Sequence, residues 1–172
     1  MGFMDKLKQM KNFVTGGHAK VFLEVVEPSL DEPFILKVKA VVGDAPVKVS
    51  RVYGFLKGSE RVTVRNVKVS EEHTEVVAED EYGDEEVVDR EVEVGHRDVT
   101  RSKQTAYVEV NIAGEQELEA NQEYTWEAEV KIPADSLPTY DGFNATHFWF
   151  AQAGLDVAGN DPDSGWIKFE AY

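Results

Sequence analysis

Cysteine is absent from the 172 residues. That excludes a disulfide framework, a cysteine-ligated zinc or iron–sulfur centre and a cysteine nucleophile. Long hydrophobic runs are missing too. Stretches such as Ala40–Val42 and Phe148–Ala151 fall far short of the ~20 apolar residues that a membrane helix needs. Positive charge is scarce: 18 Lys+Arg stand against 33 Asp+Glu, a net charge of −15. Nucleic-acid partners are disfavoured, because phosphates must be met by lysine and arginine. No secretory signal core opens the chain, since Asp5, Lys6, Lys8 and Lys11 interrupt its first turns. The expectation is a cytoplasmic protein for which membrane attachment is disfavoured. A chain of this length has room for one domain and buries about 70% of its unfolded surface, enough for a core without staples.

What is present is mostly strand material. Only the first segment has helical spacing: Phe3, Leu7, Met10 and Val14 recur every three or four residues, and Gly16-Gly17 stops the run. The expected organisation is a short amphipathic helix and Gly-Gly hinge over 1–17, then a β domain over 18–172. From Gly17 on, the period is two. Val21, Leu23 and Val25 alternate with Lys20, Phe22 and Glu24, and Pro28 ends that strand. Leu36 to Val42 forms a second strand and Val47–Lys57 a third. Gly58-Ser59 reads as a tight turn into a fourth, Arg61–Val69, with a bulge at the phase break near Asn66. Residues 71–93 hold 12 of the 33 acids and read as a solvated acidic excursion around a Tyr82-Gly83-Asp84 turn. Further strands fall near 99–113, 122–132, 146–157 and 165–171. Nine or ten short strands without a βαβ rhythm predict an all-β, antiparallel immunoglobulin-like β-sandwich.

Candidate chemistry is thin. Asp156, Asp161 and Asp163, with Asn160, Gly159 and Gly165, offer clustered oxygens that suit calcium. The spacing is not that of an EF-hand, and the same residues make an ordinary hairpin turn. His18, His73, His96 and His147 are scattered and show no HxxxH or HExxH spacing. No G-x-S-x-G elbow is present. No enzymatic activity and no cofactor are expected, calcium being the alternative. Trp126 and Trp149 read as core, and Trp166 is the freer ring. The basic N-terminal helix is the candidate partner-binding element, through Phe3, Lys6, Leu7, Lys8, Met10 and Lys11. Its partner would be another protein or a second copy of the chain.

Residues 122–157 are the least generic. Tyr124, Trp126, Ala128 and Val130 share one strand face, and Pro133 ends the pairing. Leu137-Pro138, Thr139, Tyr140 and Gly142 follow, then Trp149, Ala151, Ala153 and Leu155. This order resembles the arrestin-like family, whose first domain has an aromatic strand, proline, Leu-Pro, an aromatic, glycine and a further aromatic strand. Val25-Val26-Glu27-Pro28 and Val49–Gly58 are similar to its early strands. A helix before the first strand resembles the bacterial sporulation-control proteins of that superfamily. The resemblance implies an arrestin-like sandwich acting as a non-enzymatic scaffold or regulatory adaptor that binds a protein partner, in sporulation or stress control. The alternative from the residues is a calcium-dependent carbohydrate-binding module.

Overall fold

A computed structural model describes the backbone of residues 19–79 and 85–172, with side chains except at 71–79 and 85–93. The expected N-terminal helix and the Tyr82-Gly83-Asp84 turn lie outside the described residues. Nine strands and no helix occur among those that are described: β1 (Ala19–Val26), β2 (Phe34–Val42), β3 (Val47–Glu79), β4 (Glu85–Ala113), β5 (Gln116–Leu118), β6 (Glu123–Val130), β7 (Tyr140–Asp141), β8 (Ala145–Val157) and β9 (Ile167–Phe169).

These form two antiparallel sheets. The smaller has the order β1-β2-β6, and the larger β4-β3-β8-β7, with β5 on β3 and β9 on β8. Period-two alternation positions both. Leu36, Val38 and Ala40 of β2 point inward, as do Val52 and Leu56 of β3 and Trp149, Ala151, Ala153 and Leu155 of β8. All are fully buried in one core shared by the two sheets. Burying a side chain such as Leu36 contributes about 1.5–3 kcal/mol.

The expected turn at Gly58-Ser59 is not there. β3 runs on unbroken for 33 residues, with only a register shift against β4 at that point. Gly58 serves close approach instead: a Cβ there would lie 2.5 Å from Thr105 Oγ1 and 3.1 Å from His147 Nε2. The bulge near Asn66 is present. Asn66 has φ 56°, its N–H donates to Asp98 Oδ1 at 2.9 Å, and Arg65 pairs with the same carboxylate at 3.3 Å. Asparagine tolerates this left-handed conformation better than most residues.

β8 accompanies β3 only as far as Val62, opposite Ala145. Beyond it, β3 and β4 continue as a two-stranded ribbon out to Glu79 and Glu85. The acidic excursion is therefore strand-paired over its described backbone.

The 131–139 connector is held by isolated bonds, mostly from side chains, rather than by a ladder. Trp149 Nε1 donates to Leu137 O at 3.1 Å, and the His147 ring lies 3.0 Å from Pro138 O through Nδ1. Thr139 exchanges two bonds with Ala171, N to O at 2.8 Å and Oγ1 from N at 2.9 Å. Carbonyls without a strand partner are thereby satisfied.

Candidate binding face

Among the described residues, aromatic rings and cations gather on the outer face of the large sheet. This follows from the same alternation that fills the core. Where Trp149 and Ala151 point in, Phe148 and Phe150 point out; where Leu56 points in, Phe55 and Lys57 point out. The register then sets Tyr107, Lys57, Phe150 and Lys168 in one row across β4, β3, β8 and β9. Trp166, just before β9, leans onto the same row.

The rings and cations touch. Lys57 Nζ stands 4.0 Å from the Trp166 ring centre and 5.5 Å from that of Phe150, and Lys168 Nζ stands 3.0 Å above Phe148. Tyr53, Phe55 and Tyr107 continue the aromatic row, with centroids 5.1 and 5.3 Å apart. Each exposed cation–ring contact is worth about 0.5–1 kcal/mol.

Arg51 closes one end of the face. It meets Glu109 at 2.6 Å and Asp156 at 3.3 Å and lies over the Tyr53 ring. Its guanidinium pKa is raised, chiefly by the bond to Glu109. The buried Tyr53 phenol is pushed up to about 12 by desolvation first, then by Asp161, Asp163 and Asp156. Gly154 lies directly beneath the Tyr53 hydroxyl, where a Cβ would collide with the ring.

The small sheet's outer face is built differently. There Lys37 reaches Glu127 at 2.8 Å and Lys39 reaches Glu123 at 2.7 Å. The bond to Glu127 raises the Lys37 pKa.

The candidate calcium residues are committed locally. Asp161 Oδ1 accepts from Val157 N at 2.9 Å, Asp163 Oδ1 accepts from Gly165 N at 2.6 Å, and Asp156 holds Arg51. Among the described residues no group of three or more His, Asp or Glu is placed to hold a metal. Phe3, Lys6, Leu7, Lys8, Met10 and Lys11 lie outside the described residues. Trp126 packs against the core and Trp149 is fully buried, while Trp166 is 37% exposed, as their strand positions imply.

His147 is fully buried. It lies between Thr105, whose hydroxyl is 2.7 Å from Nε2, and Pro138 O, and it packs against Tyr140 and Trp149. Burial lowers its pKa; the Pro138 bond and Glu60 act the other way. Tyr140 donates to Glu60, and that bond raises the phenol's pKa.

Residue-by-residue reading missed Lys57, Phe148, Phe150 and Lys168. Their signal was the complementary phase of the strand that carries Trp149: if odd positions pack, even ones face solvent.

No protein-family model matches the chain, and no curated protein matches it. Among solved structures it is similar to the sporulation control protein Spo0M from Bacillus subtilis. That match has 14% identity and a TM-score of 0.54, and it covers 90% of this chain and 49% of that one. The likeness is one of fold, and the chain spans about half the length of that neighbour.

Proposed function

We propose that this chain is an arrestin-like β-sandwich module without catalytic activity or cofactor. It would act in cytoplasmic regulation by docking a protein partner on the outer face of its large sheet. Two sheets around one core support the sandwich reading, and the fold of a sporulation control protein supports a regulatory one. The observation that carries the docking reading is the outward row of aromatic rings on β3, β4 and β8 with Trp166 just before β9, half-buried at Phe55, Phe148 and Phe150 and exposed at Tyr107 and Trp166, the residue types enriched at interface cores. The calcium–sugar alternative fares less well. Its carboxylates already accept backbone and arginine donors, and Lys57 occupies the Trp166 ring face on which a sugar would stack.

Site-specific photo-crosslinking in the native cell tests the docking reading. A photoreactive phenylalanine analogue at position 150 or 107 should join the chain to one recurrent protein. The same analogue at Thr125, on the small sheet's outer face, should not. Trp166→Ser should reduce the yield several-fold while changing stability by no more than about 1 kcal/mol. Equal yields from both faces would refute this function.

A further inference from the structure

We infer that the docking partner presents an acidic, extended segment, gripped by Lys57 and Lys168 with its apolar side chains laid on Phe148, Phe150 and Trp166. The inference rests on the docking-face reading above and adds the partner's chemistry.

Charge complementarity carries it. In a chain of net charge −15, the outward row of half-buried Phe148 and Phe150 and exposed Trp166 is interleaved with two ammonium groups. Among the described residues neither lysine has a carboxylate within ion-pair distance. Glu109, diagonal to Lys57, is taken by Arg51, and Glu170, two residues beyond Lys168, accepts from the Tyr172 hydroxyl at 3.0 Å. On the opposite sheet Lys37 and Lys39 do end on glutamates, so the chain has the means to neutralise a lysine on a sheet face and does not use it here.

Geometry favours an extended ligand. Lys57 and Lys168 flank Phe150 in one row, two strands apart, which is roughly 10 Å. Two carboxylates four residues apart on one face of an extended peptide, with an apolar side chain between them, lie about 13 Å apart, and flexible lysine stems bridge that difference. When carboxylates arrive, each ammonium exchanges a weak ring contact for a charge-assisted hydrogen bond and uncovers the ring for an apolar side chain. An anionic membrane fits less well, because two lysines are too few to hold it and the acidic body opposes it. At physiological ionic strength charges beyond about 8 Å are screened, so the local lysines outweigh the distant acids for a peptide.

The test uses the full chain and a synthetic peptide with Glu and Phe at alternate positions and Ser between. Amide and Trp166 indole resonances report where it binds. We expect saturable shifts on β3, β8 and β9 that weaken with salt. Affinity should fall about tenfold in the Lys57→Gln/Lys168→Gln variant, which keeps the fold because both side chains lie on the surface. If the same peptide with Gln for Glu binds this face as tightly, the docking face stands and the acidic partner is overturned. If neither peptide moves these resonances, the acidic partner is overturned, and the cross-linking test decides the docking face on its own. Co-sedimentation with phosphatidylserine vesicles in place of peptide binding would overturn it in favour of a membrane. A concentration-dependent dimer that blocks the face would overturn it in favour of a second copy.

Discussion

His147 has two partners of unequal kind. A carbonyl only accepts, so Nδ1 carries the proton and donates to Pro138 O, and Nε2 accepts from the Thr105 hydroxyl. The neutral ring satisfies both bonds, whereas the charged ring must be buried beside Trp149. Its folded pKa lies below the ordinary 6.5. The unfolded chain thus binds more protons near and below that pH, and folding stability falls as pH drops through it. Melting temperature should decline from about pH 7.5 to 5, and the decline should be shallower in His147→Gln, which keeps a donor and an acceptor. An unchanged slope would show that other groups set the acid limb. Gly58 belongs to the same cluster: only a residue without a side chain lets β3 pass beneath Thr105 and His147.

At the scale of elements, β3 and β4 change character along their length. Up to Val62, β3 is a central strand with neighbours on both sides; past it only β4 remains. A lone two-stranded ribbon is marginal in water. Its register also sets Glu71 opposite Glu93, Glu75 opposite Asp89 and Glu79 opposite Glu85, and like charges directly opposite weaken a ladder. Amide hydrogen exchange should therefore be at least about tenfold faster over 67–79 than over 52–58, and added salt should slow it. Equal protection along β3 would contradict this. Strand positions were largely legible from alternation: β1, β2, β6 and β8 fall where Val21-Leu23, Leu36-Val38, Tyr124-Trp126 and Trp149-Ala151 place them. The turn expected at Gly58-Ser59 was not. Local sequence does not distinguish a glycine that bends the chain from one that lets another element approach, and here that element lies 47 residues on, at Thr105.

At the scale of the whole molecule, the charge of −15 sets a self-repulsion that compact folding must overcome. Raising ionic strength from about 0.01 to 0.3 M shortens the screening length several-fold. Melting temperature should rise by a few degrees over that range, and a fall would mean that paired surface charges such as Lys37–Glu127 outweigh the repulsion. The same screening should weaken the acidic peptide on Lys57 and Lys168, so stability and docking should respond to salt in opposite directions. No helix among the described residues is long and apolar enough to cross a membrane.

The sequence by itself determined the β-strand make-up of the described residues, the inward phase of each principal strand and the burial of Trp149, and it placed the end of β6 to within three residues, at Val130 rather than Pro133. These are local consequences of period-two alternation and of residues that cannot continue a ladder. It held the candidate face only implicitly. Lys57, Tyr107, Phe148, Phe150, Trp166 and Lys168 come from four separate stretches and meet only because the register sets β9, β8, β3 and β4 side by side. Tertiary structure likewise decided that the 156–165 carboxylates turn to backbone and Arg51, and that His147 is sealed beneath the connector. Pairing across long sequence separations chooses the neighbours of an outward side chain, and those neighbours decide whether a lysine meets a carboxylate or a ring.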